Sequence, residues 1–496
     1  MSEPAGVSDL VRRAALEHPD RIALVDGAIR LTWAELDRQA TAAALALGTG
    51  LAPGDRVALQ LGTGTEFVVM YLGASRAGLV VVPVNPSYTL PELSHVLTDS
   101  AASLLVTSSV DAVDAAVPEV VVASAPAAPG HRTVADLLAG APDGDDPRRD
   151  RTEDEIAVLL YTSGTSGRPR GAMLSARALV ANLEQAAAVE PPMVTADDVV
   201  FMPLPLFHVF GLNAGLGIAL YAGATTVLAD RFDADETLAT IAAEKVSVVV
   251  GAPGMYVQWL GRPGLADAFA GVRYALSGSA PLPAELVVQY AALGITLYEG
   301  YGLTEAAPGV TLNTAGKGGS IGRALPGVEI ELRDQDGEPV DEDDDPGQLF
   351  VRGPNLFSGY WPDGADGPDD DGWFGTGDIA VRDDDGDLQL VGRSSELVLV
   401  NGFNVYPAEV EAVLGAYPGV AEVAVMGVED AETGEAVVAY VVPAAGAHID
   451  VDDLLSVAAR SLARFKLPRH VEVVDALPHT ATGKVMKWQL GGHVAG

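Results

Sequence analysis

The sequence predicts an α/β protein with a large N-terminal domain of mixed, mostly parallel sheets covered by helices. In the N-terminal half, strand-like runs alternate with amphipathic, helix-like runs. The strand-like runs are apolar at nearly every position, which is typical of strands buried on both faces of a parallel sheet. The character of the chain changes after residue 393, so we expect a second, smaller domain there, and 496 residues leave room for both.

The first predicted elements follow one another as strand, helix and strand. Residues 56–61 form an apolar run, residues 66–77 have helical periodicity, and residues 79–84 are apolar again. Similar strand-like runs recur at residues 102–106, 120–123, 156–160 and 246–251. This rhythm indicates successive βαβ units, in which a helix connects two parallel strands.

Residues 209–229 carry no charge and are long enough to span a bilayer, which takes about 20 apolar residues. They nevertheless include Asn213 and four glycines. We therefore predict a buried helix followed by a strand, and no stable membrane insertion. The N-terminus shows no signal-peptide pattern, so the expected location is the cytoplasm.

The formal net charge is −38, and lysine occurs at only five positions. A surface this negative repels the phosphates of nucleic acid and of anionic membranes, so the charge argues against both as partners. There are no cysteines, which rules out disulfides, thiolate zinc sites and a cysteine nucleophile. Any sulfur in the chemistry of this protein must therefore belong to a substrate.

Acidic and basic residues are unevenly distributed. Residues 341–387 hold 15 acidic and 2 basic residues among turns and short alternating strands, which predicts a small β element with solvated loops. Their spacing does not fit a calcium-binding loop. Residues 460–487 hold six basic and two acidic residues (6 − 2 = +4). We interpret this window as a surface for a polyanionic ligand, with helix-end and solubility charges as the alternative.

A strand-like run leads into a loop of hydroxyl residues and glycines within residues 159–171. The loop reads Thr162-Ser163-Gly164-Thr165-Ser166-Gly167 and is followed by Arg168 and Arg170. Glycines let backbone N–H groups turn toward an anion, hydroxyls add donors, and arginine adds charge. The spacing differs from that of the P-loop. It still predicts a phosphate-binding loop, and a helix-like run follows the two arginines.

Seven separated motifs together resemble the adenylate-forming superfamily of acyl-CoA synthetases, luciferase-like enzymes and adenylation domains. They lie at residues 161–171, 205–212, 277–282, 301–305, 375–378, 392–396 and 478–484. The resemblance covers nearly the whole chain. It implies a large domain over residues 1–393 that includes a small β-barrel-like part, a hinge at 393–396, and a small mobile α+β domain over 394–496. It also implies an acid–thiol ligase that uses Mg²⁺, ATP and coenzyme A.

The resemblance further implies a role for each motif. Thr162 and Glu305 would hold Mg²⁺, and Lys484 would neutralise the reacting carboxylate and the α-phosphate. His208 would either gate the acyl pocket or be a core histidine, and Asp378 would bind the ribose hydroxyls. The other implied nucleotide contacts are Ser163, Gly164, Thr165, Ser166, Gly167, Arg170, Gly278, Ser279, Ala280, Glu299, Gly300, Tyr301, Gly302, Thr304 and Arg393. The resemblance also implies Gly402 and Phe403 as candidates for coenzyme A. Lys466 and Arg469, which the family does not fix, are further candidates for the phosphates of coenzyme A.

Two positions depart from the family's motifs. Arg170 stands where a lysine is usual, so the charge is kept while the planar guanidinium differs in shape from an ammonium. Glu396 stands where the hinge usually has an aspartate, so a carboxylate is kept at that position.

The substrate is less closely defined than the reaction. Residues 402–407 resemble those of fatty acyl-CoA synthetases, and residues 211–222 contain no arginine that would pair with a second carboxylate. A medium- or long-chain fatty acid is therefore the first choice and an aromatic acid the second. Transfer to a carrier protein and a catalytically inactive acyl-nucleotide binder are further alternatives, and a homo-oligomer stays open.

Overall fold

A computed structural model gives the fold of the chain. It describes residues 6–109, 117, 119–122, 132–142, 144, 152–162, 169–334, 336–340, 345–393, 396–400, 403–430, 433–479 and 485–490. The chain divides into two compact units: Met1–Glu329 with Val351–Phe374, and Ile330–Phe350 with Gly375–Gly496. The boundary at 393/394 and the hinge at 393–396 stay predictions.

The first unit alternates helices and strands throughout. In chain order its described elements are α1 (Val7–Glu17), β1 (Ile22–Asp26), β2 (Ile29–Thr32), α2 (Trp33–Gly48), β3 (Arg56–Gln60), α3 (Thr65–Arg76), β4 (Val80–Pro83), α4 (Leu90–Asp99), β5 (Leu104–Thr107), β6 (Glu119–Val122), β7 (Arg132–Thr133), α5 (Val134–Ala139), β8 (Ile156–Thr162), β9 (Arg170–Ser175), α6 (Ala176–Ala187), β10 (Val199–Met202), α7 (Ile218–Ala222), β11 (Thr225–Leu228), α8 (Ala234–Ala243), β12 (Val248–Gly251), α9 (Pro253–Trp259), α10 (Leu265–Phe269), β13 (Tyr274–Ser277), α11 (Ala284–Ala292), β14 (Leu297–Gly302), β15 (Gly309–Asn313) and β16 (Arg323–Ala324).

Two sheets organise this unit. The seven-stranded sheet has the order β7-β6-β5-β3-β4-β8-β9, and its neighbouring strands are parallel except for the hairpin β8–β9. The nine-stranded sheet has the order β16-β15-β14-β13-β12-β10-β11-β1-β2, with parallel pairs in its middle and antiparallel pairs at both ends. The predicted α/β fold with mostly parallel sheets is confirmed, and so are the predicted strands of the βαβ units, with small shifts in their ends.

The prediction of a helix-like run directly after the two arginines that follow the phosphate loop is wrong. Arg170–Ser175 is strand β9, and helix α6 begins only at Ala176. The buried residues Ala172 and Leu174 pair with β8 in antiparallel register. A short apolar run suits a buried strand as well as a buried helix, and here the pairing with β8 decides between them.

The charge-free stretch 209–229 is a buried helical segment followed by a strand, as predicted. A π-helix, Phe210–Gly217, continues into α7, and β11 follows. The glycines allow close packing, since a Cβ at Gly211 would lie 2.4 Å from the Pro205 carbonyl oxygen and one at Gly215 would lie 2.5 Å from the Met202 sulfur. In the part of the chain that the structure describes, no helix is long and apolar enough to cross a membrane.

A buried aromatic cluster packs helices α9 to α11 against the nine-stranded sheet. Its members include Tyr256, Trp259 and Tyr290, whose rings meet edge to face. The Tyr290 hydroxyl donates to the Tyr256 carbonyl at 2.7 Å, and the Tyr256 hydroxyl donates to the Leu276 carbonyl at 2.8 Å. These bonds fix the end of β13, next to which one of the predicted nucleotide motifs begins.

The second unit is smaller and richer in antiparallel pairs. Its described elements are β17 (Glu329–Arg333), β18 (Gly347–Arg352), β19 (Phe374–Arg382), β20 (Leu388–Arg393), β21 (Val398–Val400), β22 (Phe403–Val405), α12 (Pro407–Gly415), β23 (Val420–Asp430), β24 (Gly434–Pro443), α13 (Val451–Ala458) and β25 (His470–Val473).

These strands form a four-stranded and a five-stranded sheet. The first has the order β17-β18-β19-β20 and corresponds to the small β element predicted within residues 341–387. The second has the order β22-β21-β24-β23, with β25 pairing β24, and its apolar core is shared with α12 and α13. The small α+β part of the predicted fold class is therefore present.

Candidate active site

The predicted phosphate loop connects the two strands of a β-hairpin. Thr162 ends β8, Arg170 begins β9, and the two residues face each other in the antiparallel register. Next to them, Tyr161 donates from its hydroxyl to Asp99 at 2.6 Å. Both ends of the loop are thus anchored. The loop residues Ser163, Gly164, Thr165, Ser166 and Gly167 lie outside the described residues, so their phosphate contacts stay predictions.

Arg170 is held by two neighbours. Its guanidinium pairs with the Asp366 carboxylate at 2.8 Å and stacks 3.9 Å from the centre of the Tyr360 ring. The Tyr360 hydroxyl in turn donates to Glu305 Oε1 at 2.5 Å. Burial, and then the adjacent Glu305 carboxylate, raise the pKa of Tyr360 far above its ordinary value, so this hydroxyl keeps its proton. A continuous chain of contacts therefore links Arg170 with Glu305.

Glu305 lies on a short 3₁₀ turn, Thr304–Ala306, that follows β14. Its side chain is half-buried, and its carbonyl accepts a hydrogen bond from the Phe357 N–H at 2.8 Å. In the described residues, no group of three or more histidine and carboxylate side chains could hold a metal ion. A Mg²⁺ ion bound with a nucleotide needs only one or two carboxylates, since phosphates and waters complete its shell. Glu305 fits that requirement, and with Thr162 it stays the predicted metal site.

Buried amide side chains fix the residues that follow Glu305. Asn355 Nδ2 donates to the carbonyls of Ala306 (2.8 Å) and Gly309 (3.0 Å). Asn182 donates to the Gly309 carbonyl and accepts from the Gly309 N–H, both at 3.0 Å. Asn213 Nδ2 donates to the Ala307 carbonyl at 2.7 Å. The sequence analysis did not identify these asparagines as residues that hold the turn after Glu305. The presence of Asn213 in the otherwise charge-free stretch 209–229 could have indicated such a role.

Adjacent strands bring together two of the predicted nucleotide motifs. Ser277 at the end of β13 pairs with Glu299 on β14, so residues 278–280 and 299–302 lie side by side. A Cβ at Gly278 would lie 2.8 Å from the Phe210 ring, and one at Gly302 would lie 2.1 Å from the Pro308 carbonyl oxygen. Position 302 thus leaves no room for a side chain, and a side chain at position 278 would require the Phe210 ring to shift. The other members of the two motifs are Ser279, which has a φ of 68°, and Ala280, Gly300, Tyr301 and, after the strand, Thr304.

Glu299 is the buried acid of this region. Its side chain is 6% exposed, and its carboxylate accepts a hydrogen bond from the Leu282 N–H at 2.9 Å. Burial dominates over this bond and raises the pKa of Glu299 to about 7. A contact of Glu299 with nucleotide stays a prediction.

His208 precedes the π-helix in an apolar setting. Its ring lies 4.8 Å from that of Phe207, and its carbonyl accepts from the Leu212 N–H at 2.8 Å. Burial lowers the pKa of His208 to about 4, so the ring is neutral near pH 7. A neutral ring is compatible with both predicted roles of His208, as part of the wall of the acyl pocket and as a core histidine.

In the second unit, Asp378 and Arg393 face each other on β19 and β20. Asp378 is buried, and Arg393 Nε donates to its Oδ1 at 2.9 Å. The Asp378 N–H donates to the Thr376 hydroxyl at 3.1 Å, which fixes the Gly-Asp corner. The carboxylate predicted to bind ribose is therefore oriented by the arginine that begins the predicted hinge.

Three further predicted residues of the second unit are Gly402, Phe403 and Lys484. Gly402 and Lys484 lie outside the described residues, and Phe403 belongs to β22. The described residues before and after Lys484 contact each other, because His479 and Val485 form a bridge and the Met486 N–H donates to the Pro478 carbonyl at 2.8 Å.

The basic window 460–487 is partly neutralised within the second unit. Lys466 pairs with Glu409 at 2.6 Å, and Arg469 pairs with Asp430 at 2.7 Å. Lys487 lies 2.8 Å from both Glu396 and Glu411. Of the five cations of the window that the structure describes, Lys466, Arg469 and Lys487 thus have carboxylate partners from outside it. A contact of Lys466 with coenzyme A stays a prediction, and it has to compete with Glu409.

Comparison with known proteins places this geometry in context. A family model described as AMP-binding enzyme matches residues 11–361, and one described as AMP-binding enzyme C-terminal domain matches residues 409–484. A feruloyl-CoA synthase from an Amycolatopsis species is 37% identical over 97% of both chains. A long-chain-fatty-acid–CoA ligase from Yersinia pestis is 34% identical over 97% of this chain and 93% of its own. The crystal structure of ATP-bound MatB from Rhodopseudomonas palustris has a TM-score of 0.89 at 36% identity and covers 97% of this chain and 98% of that chain.

Proposed function

The chain belongs to the AMP-binding enzymes and, among them, to the acyl- and aryl-CoA ligases, and on this premise we propose that it activates an apolar monocarboxylic acid. The acid and ATP form acyl-AMP and pyrophosphate, and the thiol of coenzyme A then accepts the acyl group and releases AMP. A medium- or long-chain fatty acid is the first candidate substrate. ATP and coenzyme A as substrates agree with the predicted cytoplasmic location.

The observation that carries this proposal is the chain of contacts from the phosphate-loop hairpin to Glu305. Arg170 stacks on Tyr360, and Tyr360 donates to Glu305. The end of the predicted phosphate loop and the predicted metal carboxylate are therefore parts of one arrangement, as a site for a nucleotide with Mg²⁺ requires. The ATP-bound state of the structural relative MatB supports the same ligand.

Charge neutralisation is the main task of such a site, because a carboxylate has to approach the α-phosphate of ATP. Glu305 with Thr162 would hold Mg²⁺, which supplies positive charge at the phosphates when bound. Lys484 would supply a second positive charge at the carboxylate and the α-phosphate. Asp378, oriented by Arg393, would accept hydrogen bonds from the ribose hydroxyls and hold the nucleotide in place.

The apolar character of the substrate is inferred from the acyl-side segment. Residues 209–229 carry no charged side chain, and most of the π-helix within them is buried. A buried segment without a cation offers no partner for a second carboxylate, which would have to be desolvated at high cost. A monocarboxylic acid with an apolar tail meets the requirement, and a fatty acid has the simplest such tail.

An aromatic acid is the second candidate, and two relatives favour it. One is the feruloyl-CoA synthase, and the other is an indoleacetate–CoA ligase from Aromatoleum aromaticum that is 35% identical over 96% of this chain. A phenyl or indole ring is apolar as well, so the charge-free segment is compatible with both candidates.

Pyrophosphate release from ATP and Mg²⁺ tests the proposal on a panel of octanoate, palmitate, ferulate, indoleacetate and benzoate. We expect the highest kcat/KM with octanoate or palmitate. A preference for ferulate or indoleacetate would replace the first candidate by the second, and no release with any acid would contradict the ligase function. Thioester formation with coenzyme A, compared with a phosphopantetheinylated carrier protein, tests the acceptor.

A further inference from the structure

We propose that Tyr360 is a positioning residue that orients the Glu305 carboxylate for Mg²⁺ and couples it to the phosphate-loop hairpin. The inference rests on the proposed function, in which Glu305 holds the metal ion. Tyr360 lies 55 residues after Glu305 and belongs to none of the motifs of the sequence analysis.

The Tyr360 hydroxyl has a defined geometry toward Glu305. It donates to Oε1 at 2.5 Å, a length typical of a charge-assisted hydrogen bond from a hydroxyl to a carboxylate. One carboxylate oxygen of Glu305 is therefore occupied by Tyr360, which leaves the other oxygen to bind a cation. Outer partners of this kind fix the orientation of a metal-binding side chain and strengthen its contact with the metal.

The Tyr360 ring is itself held from several sides. The Arg170 guanidinium lies 3.9 Å from its centre on one side, and the Phe357 ring meets it edge to face with 5.0 Å between centroids. Its main chain is closed into a turn, since the Tyr360 N–H donates to the Ala365 carbonyl at 3.0 Å and the Gly364 N–H donates to the Tyr360 carbonyl at 2.8 Å. The hydroxyl is thus presented to Glu305 by a fixed ring.

Residues 357–361, which we call the linking segment, join the hairpin and the Glu305 turn through the main chain. The Ser358 N–H donates to the Met173 carbonyl at 2.9 Å, and the Trp361 N–H donates to the Gly171 carbonyl at 2.8 Å, so the segment lies along β9. At its other end, the Phe357 N–H donates to the Glu305 carbonyl at 2.8 Å. The hairpin and the Glu305 turn are therefore connected through both main-chain and side-chain contacts.

Arg170 gains a specific role in this arrangement. A planar guanidinium can stack on the Tyr360 ring while its N–H groups bind Asp366, whereas a lysine at this position would keep the charge and lose the planar stack. The arginine that departs from the family's motif thus supports the residue that orients Glu305.

Tyr360→Phe tests the inference, because it removes the hydroxyl and keeps the ring. We expect the Mg²⁺ concentration for half-maximal pyrophosphate release to rise about tenfold, as is typical when an outer partner of a metal ligand is lost. The KM for the acid should change little. A second readout needs no turnover: titration calorimetry of ATP in excess Mg²⁺ and in EDTA should show weaker ATP binding only in the presence of Mg²⁺.

Matched variants separate positioning from general damage. Tyr417→Phe removes another tyrosine hydroxyl that donates to a carboxylate, that of Asp453 at 2.7 Å in the second unit, and should leave the Mg²⁺ dependence unchanged. Arg170→Lys should raise the Mg²⁺ requirement by about threefold, as expected for a weakened cation–π contact. It provides a second measurement if Tyr360→Phe folds poorly, which thermal unfolding would show.

A double-mutant cycle gives the decisive comparison. In a Glu305→Gln background the carboxylate is gone, so Tyr360→Phe should have almost no further effect on the Mg²⁺ dependence. A full tenfold effect in that background, or an unchanged Mg²⁺ dependence in both Tyr360→Phe and Arg170→Lys, would overturn the inference. If the wild-type protein activates no acid, the proposed function fails separately, and the calorimetric comparison of ATP binding still decides the role of Tyr360.

Discussion

Glu299 brings an ionisable group into the interior of the first unit. Burial raises its pKa from 4.5 to about 7, because the Leu282 N–H alone does not compensate the carboxylate for lost water. The folded chain therefore binds the proton more tightly than the unfolded chain. The contribution of the protonated group to stability is present below about pH 4.5 and is lost as the pH rises through about 7.

We expect Glu299→Gln to weaken the pH dependence of stability. Between about pH 4.5 and about pH 8 the wild-type protein should lose about 2–3 kcal/mol of unfolding free energy that the variant retains, since one pKa unit corresponds to about 1.4 kcal/mol. Urea unfolding at both pH values measures this difference. Because each protein is compared with itself at the two pH values, any pH-independent effect of replacing the carboxyl group by an amide cancels. Glu285→Gln on α11, where the side chain is exposed, is the control. Identical pH dependence in wild type and Glu299→Gln would contradict the buried acid.

Substitution of Lys484 should affect the two half-reactions, adenylation and thioester formation, to different extents. Lys484→Ala should slow acyl-adenylate formation roughly 10²–10³-fold, because a positive charge aimed at the developing charge is lost. It should leave thioester formation from supplied acyl-adenylate largely unchanged. Pyrophosphate release and thioester formation, measured separately, check this, with Lys245→Ala at an exposed position as the control. An equal loss in both half-reactions would contradict the assigned role.

The turn after Glu305 depends on amide side chains from distant elements. Asn355 uses both ends of its amide. Its Nδ2 donates to the carbonyls of Ala306 and Gly309, and its Oδ1 accepts a hydrogen bond from Gln185 at 3.2 Å. It is 1% exposed. Since a buried polar group that loses its partner cannot turn to water instead, each member of this network matters more than a surface hydrogen bond.

Asn355→Ala should destabilise the first unit by about 2–4 kcal/mol, because at least two buried polar groups lose their partner. Thermal and urea unfolding measure the loss. Gln289→Ala on the exposed side of α11 removes another amide, one that donates to Glu285 at 3.2 Å, and should have almost no effect. Equal stability of Asn355→Ala and wild type would show that the network is not needed for this turn.

Local patterns explain what could be predicted from the sequence. The strands of the βαβ units and the phosphate loop are visible because apolar runs and clusters of glycine and hydroxyl residues are properties of neighbouring positions. Strand β9 was misjudged because a short apolar run does not distinguish a strand from a helix. Tyr360 and Asn355 were missed because their partners Glu305 and Gln185 lie 55 and 170 residues away, so only the fold brings them together.

The charge of the whole chain is distributed unevenly over its described surface. Several cations are engaged by carboxylates, such as Arg30 with Glu244 and Arg352 with Glu329. With 68 acidic and only 30 basic side chains in the sequence, carboxylates outnumber cations by 68 − 30 = 38. Exposed positions such as Asp370 and Asp384 lie in acidic loops. The result is net self-repulsion, which opposes the compact state.

Salt should therefore stabilise this protein. The screening length falls from about 30 Å in 0.01 M salt to about 3 Å in 1 M salt, so repulsion between exposed carboxylates is largely removed in molar KCl. We expect the melting temperature to rise by roughly 5–10 °C between these conditions. Asp370→Asn with Asp384→Asn removes two negative charges and should reduce that rise, which distinguishes screening from a general salt effect. A melting temperature that is the same in low salt and in molar KCl would show that the net charge of −38 does not limit the stability of the fold.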